Sequence, residues 1–274
     1  MKNYIWACDF SSNTGEGKLA RLFVKKTIKN PNIIQFKPNI KILNYKYFIP
    51  FIGIAFCWYY FFKSKKIFYI NYLPLWNFLI FLLLPPRTSI GPITGGANFS
   101  RSLLRKYLFP ILYFISQIII YLRFKKLIFS TSLLKKNLLP ILKKKSEFNF
   151  ILFFLKKKKI KKKNIDFLIY YRSHPNKKKF FPKSLINKIS KLNLNIIIFG
   201  DMLRIKNVKN LGNIDNRYVN DLLSKTHYSI ASGENLLSIF TLECINNGVK
   251  LFLNKNQKVD IKKIETNFIK IFKY

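Results

Sequence analysis

Asp9 and Glu16 sit in one polar segment, Asp9-Phe-Ser-Ser-Asn-Thr-Gly-Glu-Gly17, immediately after the apolar run Tyr4–Cys8. From Gly17 through Ser146 the chain contains no Asp, Glu or His. If the first half supplies a general base of these types, it is therefore Asp9 or Glu16. Both also have a structural reading of equal weight: Asp9 as a turn residue, and Glu16 as the acidic partner of an Asn13 helix cap three residues earlier. Gly15 and Gly17 leave backbone N–H groups open at a helix start, a setting that suits an anion or a sugar. A triphosphate-binding loop is excluded. That loop needs Gly, four residues, then Gly-Lys-Ser/Thr. Here Ser12 replaces the first glycine and Leu19 replaces the Ser/Thr that would hold magnesium.

Three further segments carry residues of interest. Ile90-Gly-Pro-Ile-Thr-Gly-Gly-Ala-Asn98 places Gly95 and Gly96 after a strand, either for close backbone approach to a ligand or as an ordinary tight connection. Tyr170-Tyr-Arg-Ser-His-Pro-Asn-Lys177 places Arg172 and Lys177 where a strand ends, and two such cations suit a diphosphate. In a chain with 50 Lys and Arg, one such pair is also ordinary surface, and His174 adds little. Ser232-Gly-Glu-Asn-Leu-Leu-Ser-Ile-Phe-Thr-Leu-Glu243 follows another strand and opens a helix. Ser238 and the exposed N–H groups there suit phosphate. Glu243 is unusual in an apolar helix and reads either as a ligand for ribose or sugar hydroxyls or as a solvated residue.

The 50 basic residues against 11 acidic ones give a formal net charge of +39. Such a chain is drawn to polyanions: nucleic acid, anionic lipid or phosphorylated substrates. Part of the lysine excess accompanies abundant Asn, Ile, Phe and Tyr, the usage of AT-rich coding sequence. Cys8, Cys57 and Cys244 are far apart and form no CxxC, and the only histidines are His174 and His227. A disulfide framework and a Cys- or His-rich metal site are disfavoured, and a reducing, cytoplasmic setting fits. No DxD occurs, so no obligatory metal and no other cofactor is expected. Met1–Phe10 lacks the features of a secretory signal. Three stretches are strongly apolar: Ile49–Phe62, Ile67–Leu84 and Tyr107–Leu122. A spanning helix needs about 20 apolar residues. The first and last stretches are shorter, and Asn71, Pro74 and Asn77 interrupt the second. A soluble fold with very apolar elements is therefore favoured over an integral membrane protein, and the lysines that flank these stretches suit a surface resting on anionic headgroups.

The elements that would hold these residues alternate. Strands are predicted at Tyr4–Cys8, Ile40–Leu43, Ile67–Ile70, Thr88–Gly91 and Leu127–Phe129. Helices are predicted at Lys18–Ile28, Ile49–Phe62, Leu73–Leu84 and Ser102–Leu122. Lysine runs around Phe148–Leu155 mark a basic linker, residues 147–164, between a domain at 1–146 and another at 165–274. The second series has strands at Asp166–Tyr171, Asn195–Phe199, Val208–Leu211, Tyr228–Ala231 and Val249–Leu253. Its helices are Pro182–Leu192, Arg217–Lys225, Leu237–Asn246 and one near Ile261–Phe272. Repeated βα units imply α/β architecture: parallel, doubly wound sheets with ligands at the carboxyl ends of the strands.

On these motifs the chain resembles GT-B fold glycosyltransferases that use nucleotide-sugar donors. Their donor domain carries an Arg and a Lys five residues apart after its first strand, as Arg172 and Lys177 are, and a segment of two Glu separated by seven residues. Here Glu234 and Glu243 are separated by eight. With Glu243 as the anchor, Asn235 takes the first acidic position and Ser238 the small phosphate-binding one, so either Glu234 or Asn235 faces the donor sugar. Gly212-Asn-Ile-Asp215 corresponds to the family's loop beside the nucleobase. The resemblance implies two Rossmann-like domains facing a cleft. The first would bind a glycan or lipid-linked acceptor near Gly15, Gly17, Gly95 and Gly96. The second would bind the donor through Arg172, Lys177, Glu234, Asn235, Ser238 and Glu243. Asp9 or Glu16 is the base if the reaction inverts. The donor motif is closer to retaining families, which need none. The expected setting is the inner face of the cell membrane, in cell-envelope polysaccharide synthesis. Two rival readings are a basic nucleic-acid-binding protein and an integral membrane protein. The first is disfavoured because the aromatics lie in the apolar runs and not beside the lysine clusters.

Overall fold

The run Ile5-Trp6-Ala7 is buried at three successive positions, so its strand is covered on both faces, as in a parallel sheet flanked by helices. The computed structural model describes residues 3–35, 48–71, 73–94, 103–156, 162–173, 181–231, 237–253 and 271–273. It divides into two units, Met1–Ile151 and Leu152–Tyr274.

The first unit runs β1 (Asn3–Ala7), α1 (Gly15–Thr27), β2 (Pro31–Ile34), α2 (Ile49–Phe62), β3 (Lys66–Ile70), α3 (Phe78–Leu83), β4 (Ser89–Ile90), α4 (Leu103–Arg123), β5 (Leu127–Ile128), α5 (Pro140–Lys144) and β6 (Ser146–Glu147). Its sheet is parallel in the order β2-β1-β3-β4, with Ile5 opposite Ile33 on one side and Phe68 on the other. Beyond β4, Ile93 bridges Phe129, and β5 pairs with β6. The strand order reverses between β1 and β3, and a ligand crevice forms at such a switch point in open α/β sheets.

Trp6, Tyr69, Phe81 and Phe129 are fully buried in the core of this unit. Helix α2 approaches β1 closely through Gly53. A Cβ there would lie 2.1 Å from Trp6 Nε1, so the helix rests on the indole only because the residue is glycine. Trp58 Nε1 donates to Leu83 O at 2.8 Å, tying α2 to α3.

The second unit runs β7 (Ile165–Tyr171), α6 (Lys183–Ile189), β8 (Ile196–Gly200), β9 (Lys209–Asn210), α7 (Asn216–Ser224), β10 (Thr226–Ile230), α8 (Ile239–Asn246), β11 (Lys250–Leu253) and β12 (Ile271–Lys273). All neighbours are parallel, in the order β12-β11-β10-β7-β8-β9. Counted within the unit this is the 3-2-1-4-5-6 order of a dinucleotide-binding sheet, with its switch point between β7 and β10.

Several elements differ from expectation. The predicted helix Leu73–Leu84 is helical only over Phe78–Leu83. Pro74 instead bridges Thr94 and accepts from Asn77 N in a turn. The predicted strand Ile40–Leu43 lies outside the described residues. The strand beside β1 is Pro31–Ile34, at the sheet edge, where proline's missing N–H costs no ladder bond. The end of the predicted last helix is a strand, because Ile271 and Phe272 pair with Leu251 and Phe252. In the segment read as a linker, Phe150–Phe154 forms a 3₁₀ turn with Phe150 and Ile151 buried.

The Gly53 contact yields a test. Gly53→Ala forces the helix or the indole to shift, and overpacking of this kind costs about 1–3 kcal/mol. Urea unfolding followed by tryptophan fluorescence should show that loss; unchanged stability would mean α2 does not bear on Trp6.

Candidate functional site

In the first unit the switch point is built by the turn that joins β1 to α1. Asp9 Oδ1 accepts from Ser11 N at 2.8 Å, and Asp9 Oδ2 accepts from the Thr14 hydroxyl. Thr14 in turn caps α1, accepting from Gly17 N at 3.1 Å. The cap is therefore Thr14 and not Asn13, whose N–H is taken by Ser11 Oγ. A Cβ on Gly17 would lie 2.2 Å from Ser11 O and 2.8 Å from Asp9 Oδ1. No other residue lets the helix start lie this close to the Asp9 turn. Gly15 is the exposed first residue of α1.

Glu16 follows on that first turn and is turned inward. Its Oε2 is buried and has no hydrogen-bond partner among the described residues. Burial first, and the nearby Asp9 charge second, raise its carboxyl from the ordinary 4.5 to about 7. Across the switch point, at the end of β3, Asn71 is 3 % exposed and left-handed (φ 70°). Its Nδ2 donates to Glu16 O at 2.7 Å, while its Oδ1 is also without a partner among the described residues. Two buried acceptor atoms thus belong to residues joined at the ends of β1 and β3. The Asp9 turn also borders a cavity of about 300 Å³ lined by Cys8, Asp9, Phe10, Ser11, Ser12, Arg21 and Gln35. Arg21 Nε donates to Phe10 O at 2.7 Å and its guanidinium stands over the Phe10 ring at 5.0 Å, so a fixed cation borders the cavity. Cys8 is not a nucleophile: burial pushes its thiol up to about 11.

In the second unit Arg172 is exposed directly after β7. Ser173 N and Oγ both donate to Asp201 Oδ2, at 2.6 and 2.7 Å, joining the loops that leave β7 and β8. Those bonds, with help from the Arg172 charge, hold the Asp201 carboxyl below the usual range. Gly200 makes the junction possible: its φ is +104°, and a Cβ would lie 2.2 Å from Tyr171 O. Gly200 N also donates to Gly212 O at 2.9 Å, which brings in the loop after β9, and Asp215 at its end caps α7. On the other side of the switch point Ser238 caps α8, accepting from Thr241 N at 3.2 Å. Glu243 is partly buried on the same helix.

The fold thus gathers Asp9, Gly15, Glu16 and Gly17 into one turn, and places Arg172 and Ser238 at the carboxyl ends that flank one switch point. Gly95, Gly96, His174, Lys177, Glu234 and Asn235 lie outside the described residues. Thr14, Asn71 and Asp201 were not singled out in the sequence. Asn71 and Asp201 act through partners 55 and 28 residues away, so their spacing in the sequence gives no signal. Among the described residues no group of three or more His, Cys, Asp and Glu could hold a metal ion, and no helix is long and apolar enough to cross a membrane.

No protein-family model matches the chain, and no curated protein does. Solved structures do. Anabaena HepE in complex with UDP and glucose superposes with a TM-score of 0.59 at 9% identity, covering 100% of this chain and 85% of that one. The UDP-GlcNAc 2-epimerase of Methanocaldococcus jannaschii gives 0.50 at 12%, covering 100% and 89%. WaaG, a glycosyltransferase involved in lipopolysaccharide biosynthesis, gives 0.52 at 11%, covering 99% and 86%. At these identities the likeness is one of fold: two Rossmann-like units of the GT-B type.

Glu16 has a pH signature independent of activity. Its folded-state value lies above the unfolded one, so stability is fully present below about pH 4.5, is lost as pH rises toward about 7, and stays lost above that. Glu16→Gln should therefore be more stable than wild type at pH 8, by on the order of 2–3 kcal/mol, with the difference gone by pH 4. Parallel unfolding curves at all pH values would place the Glu16 carboxyl in solvent.

Proposed function

We propose that the chain is a glycosyltransferase that moves a sugar from a nucleoside-diphosphate sugar to a glycan or lipid-linked acceptor. The observation that carries this reading is the switch point of the second unit. Its 3-2-1-4-5-6 order places the Arg172 loop and the Ser238-capped helix on its two sides. A diphosphate there would meet Arg172, Lys177 and the N–H groups at the start of α8. Glu243, with Glu234 or Asn235, would hold ribose or sugar hydroxyls. The complexes of HepE with UDP support the same class of donor.

The first unit takes the acceptor, with Gly15, Gly17, Gly95 and Gly96 allowing its close approach. Glu16 is the favoured base, because a carboxyl near 7 matches the pH at which it must take a proton. The acceptor oxygen bonds to the anomeric carbon and its proton passes to Glu16. The bond from that carbon to the diphosphate oxygen breaks, and the nucleoside diphosphate leaves against Arg172 and Lys177. Asp9, fixed by Ser11 and Thr14, keeps Glu16 basic through its charge and is the second candidate for the role. Attack from the face opposite the leaving group inverts the sugar and uses this base; a retaining transfer, to which the donor motif is closer, needs none. The domain read from the sequence at 1–146 would thus bind the acceptor and that at 165–274 the donor, and the reaction needs no metal. We place it at the cytoplasmic face of the membrane, in cell-envelope polysaccharide synthesis, with no specific nucleic-acid partner.

The test is a donor panel with release of nucleoside diphosphate as readout, run beside a sugar-isomerisation assay because one neighbour of the fold is an epimerase. Wild type should transfer sugar equally well in EDTA. Glu16→Gln should lose about 10²- to 10⁴-fold in turnover with donor affinity unchanged. Arg172→Ala and Lys177→Ala should each weaken donor binding by about 1.5–3 kcal/mol. Glu243→Gln should stay folded and lose at least about tenfold in turnover, equivalent to about 1.4 kcal/mol. Donor affinity indifferent to both cations, or isomerisation without transfer, would overturn the assignment.

A further inference from the structure

Helix α4 has two apolar faces, and the core of the first unit uses one of them. Tyr113, Ile120 and the polar Ser116 and Gln117 are buried. Ile111, Phe114, Ile118, Tyr121 and Leu122 are exposed, Leu122 by 74%. Their spacing of three, four, three and one puts them on one stripe of the helix. The stripe is held rigidly. Arg123 Nη1 donates to Phe81 O at 2.6 Å and also reaches Leu82 O, while its Nη2 reaches Leu84 O, so the end of α4 is bonded to the last carbonyls of α3. Helix α3 exposes Leu79, Leu82 and Leu83 in turn. A soluble surface has no reason to carry a continuous band of large apolar side chains.

The charge around the band selects its occupant. Lys145 lies over the ring of Tyr121 at 4.1 Å, and Lys125 and Lys126 are exposed just beyond the helix end. One of these, Lys126, is paired with Glu147 at 2.8 Å. No Asp or Glu occurs between Gly17 and Ser146, so the segment that carries the band has no carboxylate to repel an anionic surface. A second copy of the chain would bring lysine rim against lysine rim. We infer that the outward face of α4 docks on an anionic lipid bilayer, with Ile111, Phe114, Ile118 and Leu122 seated at the headgroup–acyl boundary and lysines on the headgroups. Because its other face is committed to the core, α4 lies on the membrane and does not cross it. The inference locates the membrane contact assumed in the proposed function; it does not depend on the sugar chemistry.

The test is co-flotation of the full chain with phosphatidylcholine vesicles, with and without phosphatidylglycerol, across a salt series. Two double variants accompany wild type: Ile111→Glu with Phe114→Glu, and Ile118→Ser with Leu122→Ser. The second is the milder change should the first fail to fold. Wild type should float with the anionic vesicles and be released by salt. Each folded variant should bind at least about tenfold more weakly, with its melting temperature and its shift by UDP as in wild type. Loss of the UDP shift in wild type, with flotation intact, would count against the donor reading alone. Variants that float like wild type, or wild type that ignores anionic vesicles, would overturn the lipid assignment. So would a wild-type dimer in light scattering that the variants convert to monomer, since the band would then be a self-contact.

Discussion

The turn from β1 into α1 must close so tightly that the backbone at Gly17 lies against Ser11, and the placement of Asp9 and Glu16 depends on that closure. It places two carboxylates of opposite character at one strand end. Asp9 is held by Ser11 N–H and the Thr14 hydroxyl, while Glu16 is buried with an oxygen that nothing described satisfies. Burial and, second, the nearby Asp9 charge raise the Glu16 carboxyl to about 7, the range in which a carboxylate can take a proton near neutral pH. Asn71 extends the same arrangement to the next strand, because its amide ties β3 to the Glu16 carbonyl.

In the proposed reaction the second unit meets a different requirement: a diphosphate needs backbone N–H groups and cations converging where strands end. There the loops after β7, β8 and β9 are joined by Ser173, Asp201, Gly200 and Gly212, and not by a single phosphate loop. Gly200 is indispensable to that junction, since only a residue without a Cβ can turn beneath the Tyr171 carbonyl. The rigid strand ends leave Arg172 exposed beside the junction, available to a ligand that the fold itself does not supply.

Much of this was legible in the residues. The apolar run Ile49–Phe62 reads as the helix it forms, and the βα alternation predicts parallel sheets in both halves. What escaped detection rests on contacts distant in sequence. Asp201 meets Ser173 28 residues away and Asn71 meets Glu16 55 residues away, so no local pattern announces either. The choice of Thr14 over Asn13 as cap depends on where Asp9 lies, and Pro31–Ile34 becomes a strand only because β1 offers it an edge. The outward band on α4 was hidden for the opposite reason. In sequence its residues are indistinguishable from the core residues they alternate with, and only packing separates the two faces.

The central claim is that the switch point between β7 and β10 receives a nucleoside diphosphate. Amide hydrogen exchange with and without UDP measures this residue by residue. The account predicts slowed exchange in peptides covering 170–173 and 237–242, with the Asp9–Gly17 turn unaffected until an acceptor is added. Slowed exchange confined to the first unit, or no change anywhere at saturating UDP, would contradict it.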